Sequence, residues 1–465
     1  MIPYKRSAYK LLHNGSIALA EIEGNGIRID TTYLKKITKQ TEERIIRFQD
    51  ELEKSKVGKL WRKVYKGKTN FNSNDQLGKI LFEHVIKHME IEAQLTATGR
   101  YKTDEKSLAT IDHPFVSKYL KIKKLQKVLT TYLRGLQKEV VDEFIHPFFN
   151  LHIVKTFRSS SDSPNFQNIP VRDKEIGKLI RKAFIARKGN HLVEIDYGGI
   201  EVCIAAAYHK DSRMINYISN PKLDLHRDMA MECYQLNQSQ ITKDIRFYGK
   251  NCFVFPQFYG SIYIDCARNL WEAISTADLK TKNNIPLKQH LRSKGIKELG
   301  ECDFNEKSRP NTFERHIQQI EKKFWEKRFK TYTQWKKKWF YKYLDRGWML
   351  TKTGFICQGF MKRNEIINYP VQGSAFHCLL WSLIRLVKEL RKHKMKSLVI
   401  GQIHDSILAD VPAEELDDFL VLANNVMTTQ LMETWKWINV PLTVEAEVCP
   451  VGGSWADKKE MEIPK

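Results

Sequence analysis

The feature that most restricts the fold is a pair of apolar stretches, one ending in an aspartate and the other turning at one 209 positions later. In the first, Val193 and Ile195 alternate with Glu194 and Asp196, the period-two pattern of a strand with one buried face. Gly198 and Gly199 follow, and then Ile200-Glu201-Val202-Cys203-Ile204-Ala205-Ala206-Ala207, which reads as a buried helix. The second stretch, residues 397–412, is two apolar runs joined at His404-Asp405-Ser406. That is a hairpin with its polar residues at the tip. A lone buried carboxylate is expensive, so each aspartate needs a partner. If these strands are neighbours in one sheet, Asp196 and Asp405 converge. Facing carboxylates repel unless a proton or a cation lies between them. Magnesium is held by one or two carboxylates plus substrate phosphates. Two such ions would clamp the attacking and leaving oxygens of a phosphoryl transfer. Taken alone, Asp405 also reads as an ordinary turn aspartate.

A third element lies between them. Arg246 and Lys250 sit one helical turn apart and so share a face, followed by Phe253, Phe255, Phe258 and Tyr259. Two cations on one face suit a triphosphate, and aromatics beyond them suit a base and sugar. In isolation the same segment also reads as a basic surface helix. The overall charge points the same way: 77 Lys and Arg stand against 54 Asp and Glu, a formal net charge of +23. Such an excess favours a polyanionic partner or simple solubility.

The rest of the chain supplies context. Leu34, Ile37, Thr41, Ile45, Phe48 and Leu52 fall at helical spacing within residues 31–60. Ser73 or Asn74 is a candidate cap for a following helix. Residues 115–140 form a third helix, with Ile122, Leu125, Leu129 and Leu133 on one face and Lys121, Lys123, Lys124, Lys127 and Arg134 around it. Residues 158–170, rich in Ser, Asn and Pro, read as a loop, and residues 224–260 as helical. Residues 265–345 are basic and aromatic; Trp335, Trp339 and Tyr343 recur every four residues, a stripe that favours packing over base stacking. The 42% hydrophobic content over 465 residues is enough for a large core with two or three subdomains. The eight cysteines form no C-x-x-C pair, so neither a zinc site nor a disulfide frame is expected. No secretory signal and no membrane span is legible. A cytoplasmic location, in the host cytoplasm if the source is viral, is the expectation.

Taken in order, these residues resemble the polymerase region of the A-family DNA polymerases, the bacterial polymerase I type and its phage relatives. The likeness runs through "ALAEIEGNGIRID", "FNSNDQL", "TATGRYKTDEKSL", "RSSSDSPNFQNIPVR", "VEIDYGGIEV", "DLHRDMA", "RFYGK…FYG", "NYPVQGSA" and "IHDSIL". The resemblance implies an α+β right-hand fold with an antiparallel-sheet palm, a helical thumb and helical fingers. Its parts would be palm at 1–30, thumb at 31–145, palm at 146–215, fingers at 216–345 with an insertion at about 265–330, and palm again at 346–465. It implies template-directed addition of deoxynucleotides to a primer 3′ end, with two magnesium ions as cofactors. Asp196 and Asp405 match the family's metal-binding aspartates, and the Tyr197 carbonyl would complete the shell. Glu201 matches the steric gate against a ribose 2′-OH. Arg246, Lys250 and His226 match phosphate contacts, with Lys250 also assisting catalysis. Tyr259 matches the residue stacked at the template position. Arg158, Asn168 and Gln372 match polar groups near the nascent pair and the primer–template minor groove, where hydrogen-bond acceptors are present at every base pair. His404 would lie near the primer terminus, and Lys121 and Lys124 would track the duplex backbone. The implied partners are primer–template DNA, deoxynucleoside triphosphates, and a separate exonuclease or other replisome proteins; no membrane is involved.

The sequence departs from that pattern in places. Gly198-Gly199 stands where relatives commonly carry Ser-Gln, and would loosen the turn. Ser406 stands where many relatives have a second acid. Lys250 to Tyr259 spans one residue more than usual, and Pro256 lies within it. A kink or bulge is expected there. The ribose-facing aromatic becomes ambiguous: Phe255 counting back from Tyr259, Val254 counting forward from Lys250, with Phe255 the choice here. No exonuclease region is legible upstream, which suits a phage or other viral replicase whose proofreading comes from another protein. The alternatives are a catalytically idle polymerase-derived scaffold and a single-subunit RNA polymerase, the latter opposed by Glu201.

Overall fold

The computed structural model describes residues 2–87, 93–170, 174–301 and 309–464. Cys302 and the last two residues of the 158–172 motif lie outside the described residues. The sheet that carries both aspartates has five antiparallel strands: β1 (Asn190–Tyr197), β2 (Leu398–Ile403), β3 (Ser406–Pro412), β4 (Val444–Val448) and β5 (Lys459–Met461). Their order is β5-β4-β1-β3-β2, so the two aspartate-bearing stretches are direct neighbours. Val193, Ile195, Ile407, Ala409 and Ala446 are buried, which fixes the register that one slipped residue would invert. Hairpin β2–β3 turns over His404 and Asp405 alone. Ser406 already belongs to β3, pairs with Ile403, and donates its hydroxyl to the Ile403 carbonyl at 3.0 Å. The three-residue tip expected from sequence is thus a two-residue turn, and His404 adopts a positive φ of 52°, as such turns require.

The long helix Arg363–Lys392 packs beneath the sheet and is buried along most of its length. The N-terminal helix Arg6–Asn25 crosses it closely: a Cβ at Gly15 would lie 2.9 Å from Leu380. In β3, Asp410 is fully buried. It pairs with Arg187 at 3.0 Å and accepts a hydrogen bond from the Asn190 amide at 2.6 Å, so its charge is compensated.

A second, smaller core lies within residues 45–129. Ile45, Leu52, Trp61, Leu77, Phe115, Tyr119 and Leu125 meet there. The helix expected over 31–60 breaks at Ser55, whose hydroxyl caps the next helix by accepting from the Gly58 N–H at 3.1 Å. Ser73 caps as anticipated, accepting from the Gln76 N–H at 3.3 Å. The 115–140 helix runs as Pro114–Lys127 and Arg134–Glu139 with one wide turn between them.

Helices Leu225–Tyr234, Lys243–Gly249, Tyr263–Thr276, Phe313–Lys323 and Lys330–Arg346 form a third group. Leu270, Leu287 and Phe313 join the main core, so the described part of the 265–330 segment is not an appended loop. The Trp335/Trp339/Tyr343 stripe is a packing face: both indoles stand edge-on to Tyr208 at 6.0 and 5.5 Å, and Tyr343 is buried. The 158–170 segment is more ordered than a loop. Ser160–Asp162 pairs with Phe148–Asn150, and Ser159, Gln167 and Gln402 form a buried hydrogen-bonded group. Short polar side chains there satisfy one another, which a composition-based loop assignment cannot anticipate. The seven described cysteines are all free.

Candidate active site

Asp196, near the end of β1, lies opposite Ser406 of β3 on one side and opposite Glu445 of β4 on the other. Asp405 is one residue beyond Ser406, and its carbonyl accepts a hydrogen bond from the Tyr197 N–H at 3.4 Å. The two aspartates therefore sit side by side at one end of the sheet. Asp196 is open to solvent on one side, yet desolvation by the atoms crowded around it and then the charge of Asp405, helped by Glu194 and Glu445, push it up to about 7. Asp405 is also raised, chiefly by burial, against the pull of Arg158. Two carboxylates that resist ionising together form a site short of positive charge.

The glycines after β1 tighten the turn rather than loosen it, contrary to the expectation from sequence. A Cβ at Gly198 would lie 2.5 Å from the Thr443 hydroxyl, and the Gly198 N–H donates to the Thr443 carbonyl at 2.8 Å. Gly199 has φ +68° and starts helix Ile200–His209. Only glycine meets both demands without strain. This turn aims Glu201, in the helix's first turn, into a cleft of about 460 Å³. Arg158 donates to one Glu201 oxygen, and the Tyr259 hydroxyl donates to the other at 2.6 Å. Phe255, Tyr259, Gln372, His404 and Asp405 also line the cleft. Gln372 reaches it from the long helix. Burial holds His404 below its ordinary pKa.

Arg246 and Lys250 gather with His226 at the Phe255 side of this cleft. Helix Lys243–Gly249 continues through one wide turn at Lys250–Val254 into Phe255–Tyr259. Such a turn accommodates one extra residue without breaking the helix. This one precedes Pro256. Phe255 lines the cleft, while Val254 is buried in the core. The Lys250 ammonium lies 5.0 Å from the Phe255 ring centre, and His226 stands edge-on to that ring at 5.6 Å. Burial, Lys250 and Arg246 together lower His226 to about 4, so its imidazole is neutral. Arg246 pairs with Asp224 at 2.6 Å.

Three predicted residues stand apart from the cleft. Asn168 is exposed on a short turn, and Lys121 and Lys124 are exposed on helix Pro114–Lys127. Lys124 lines a separate crevice of about 420 Å³ with Lys123, Lys127 and Tyr119. Sequence reasoning missed Asn368, Asp224 and Glu445. Asn368 lines the cleft one helical turn before Gln372, a spacing that could have found it. Asp224 is legible only as a helix cap, and Glu445 only once the strand order is known.

Comparison with known proteins gives consistent findings. The family model "DNA polymerase family A" matches residues 31–457. DNA polymerase I of Lactococcus lactis is 31% identical over 95% of the chain and 45% of its own length. DNA polymerase I of Bacillus subtilis is 26% identical over 96% and 45%, and the thermostable DNA polymerase I of Thermus aquaticus 26% over 96% and 48%. The chain thus spans about half the length of the curated relatives it matches. Among solved structures, the polymerase domain of Pol1 from M. smegmatis, in complex with DNA primer–template and dNTP, superposes with a TM-score of 0.72 at 23% identity. That match covers 96% of this chain and 70% of that one, and it shows the right-hand polymerase fold.

Proposed function

The chain belongs to DNA polymerase family A, and on that premise we propose that it adds deoxynucleotides to the 3′ end of a primer under the direction of a template strand. The observation that carries this reading is the meeting of Asp196, on β1, with Asp405, in the turn that leads into the adjacent β3, beside a cleft walled by Arg158, Glu201, Phe255 and Tyr259. The donor set suits a hard cation. Both side chains offer oxygen, and the Tyr197 carbonyl, which accepts from the Gly199 N–H at 2.8 Å, keeps a second lone pair. Among the described residues no three His, Cys, Asp or Glu side chains form a metal cage, so substrate oxygens and water would fill the remaining shell, as is usual for magnesium. Two magnesium ions, when bound, would activate the primer hydroxyl and neutralise the departing pyrophosphate.

The chain's own residues have distinct parts in this reading. Asp196, Asp405 and the Tyr197 carbonyl hold the cations. Arg246 and Lys250 offset the triphosphate charge, with Lys250 also assisting catalysis. His226 contacts phosphate. Phe255 packs against the incoming nucleotide's sugar, and Glu201 occupies the space of a 2′-OH. Tyr259 stacks at the template position. Arg158 and Gln372 face the nascent pair, His404 the primer end, and Asn168, outside the cleft, the primer–template minor groove. Lys121 and Lys124 follow the duplex backbone without reading sequence.

The test is primer extension with magnesium and four deoxynucleotides, run for the parent and for Asp405→Ala. The variant is expected to lose extension and keep its affinity for primer–template. Extension at the parent's rate would remove Asp405 from the mechanism. A parent that binds primer–template but never extends it would instead make the chain an idle scaffold.

A further inference from the structure

Phe360 is the most exposed large apolar side chain among the described residues, at 111% of its reference area. It projects from the turn between the strand Phe355–Gln358 and the long helix Arg363–Lys392. Gly359 before it has φ +104°, a conformation that favours glycine, so the turn is built to present the residue after it. Leaving a phenylalanine in water forgoes the gain from burying it. A lone exposed apolar residue is common enough to need no explanation. Three surroundings set this one apart.

The first is charge. Lys362 and Arg363 follow directly and are exposed. The second is a neighbouring aromatic face. The Arg363 guanidinium lies 5.4 Å from the Phe340 ring centre, and this ties the turn to helix Lys330–Arg346. Lys337, Tyr341 and Leu344 lie at i, i+4 and i+7 on that helix, beside Phe340, and all three are exposed. The Tyr343 hydroxyl donates to the Gly359 carbonyl at 2.5 Å, fixing the turn against the same helix. The third is position. Asn364, four residues after Phe360, packs against Gly260, where a Cβ would meet its amide at 2.5 Å. Gly260 directly follows Tyr259 of the cleft. The exposed surface therefore begins at the Tyr259 end of the cleft.

We propose that Phe360, with Tyr341 and the cations Lys337, Lys362 and Arg363, is a stacking platform for unpaired bases of the single-stranded template approaching the cleft. Rings bearing no hydrogen-bond code, interleaved with lysine and arginine, take single strands by stacking and charge without reading sequence. The platform rests on the polymerase reading above, because that reading supplies the strand. A protein partner using the same apolar tip is the competing occupant.

The test compares the full chain with Phe360→Ala and Phe360→Trp. The probes are one labelled duplex with a 5′ template overhang, the same duplex blunt-ended, and the same overhang made of abasic nucleotides. Fluorescence anisotropy reads affinity. Loss of one stacked base corresponds to a change of about fivefold or more. The parent is expected to bind the overhang at least about fivefold more tightly than the blunt duplex. Phe360→Ala should lose that preference, Phe360→Trp should keep it, and the abasic overhang should behave with the parent as the normal overhang does with Phe360→Ala. Blunt-duplex affinity and single-nucleotide gap filling should not change. An overhang preference that survives in Phe360→Ala overturns the platform, as does an equal loss on blunt duplex; the former leaves the tip to a protein partner. A parent that binds neither duplex fails the polymerase reading itself, a separate outcome.

Discussion

Replacing Glu201 by alanine gives the sharpest test of how the cleft selects its sugar. Its carboxylate is held by two donors, the Arg158 guanidinium and the Tyr259 hydroxyl, the latter at 2.6 Å. A ribonucleotide placed in the cleft would have to displace that carboxylate and break both bonds. Hydrogen bonds to charged groups contribute about 1.5–3 kcal/mol each. Tyr259 is 49% exposed and water screens part of the interaction, so the lower bound applies to both. The displacement then costs about 3 kcal/mol, or roughly a hundredfold in discrimination. Glu201→Ala should lower the ratio of kcat/KM for a deoxynucleotide over the matching ribonucleotide by about that factor. Glu201→Gln keeps the bulk but has one acceptor oxygen and no charge, so a loss intermediate between the parent and Glu201→Ala is expected. The assay is single-nucleotide incorporation opposite a defined template base, with thermal melting to check that both variants fold. A folded Glu201→Ala variant with the parent's sugar preference would refute the assignment.

Other expectations bear on stability. Asp410→Ala breaks the buried contacts to Arg187 and Asn190. It should cost about 3 kcal/mol, the low end for breaking a buried pair, because Arg187 is itself partly exposed; denaturant titration reads it, and an unchanged midpoint would contradict the packing described. Lys336 lies against the Trp325 ring, where burial, aided by Arg363, lowers its pKa to about 7. Between about pH 7 and 10 the unfolded chain therefore holds a proton there that the folded chain lacks, so folded stability should rise with pH across that window. Below about pH 7 both states are protonated and the burial cost is constant. Lys336→Met should remove this rise, by about 1–2 kcal/mol between pH 7 and 9.5 after allowance for solvent screening; parallel pH curves for parent and variant would exclude the lysine as its source.

Much of the site was legible because its chemistry is local. The alternation that ends at Asp196, the two runs around Asp405 and the single-turn spacing of Arg246 and Lys250 are short-range patterns, and helix and strand periods translate them directly into faces. The Trp335/Trp339 stripe was legible as packing for the same reason. Less visible was whatever depends on several segments at once. Gly198-Gly199 reads as slack in isolation, yet Thr443, some 245 positions later, makes the turn tight. The segment 158–170 reads as a loop because its polar residues find Gln402 only after folding.

The chain by itself determined which residues carry charge, which strands have one apolar face, and that the two aspartates needed each other or a cation, since burying a carboxylate alone is too costly. That Phe255 lines the cleft while Val254 is buried became visible only in the tertiary structure. An added residue can be absorbed anywhere along a helix, and only packing decides where the wide turn forms. The placement of Glu445 opposite Asp196 was decided in the same way. Strand order joins residues whose sequence separation carries no local signal, so the electrostatics of the pair became visible only once the sheet was assembled.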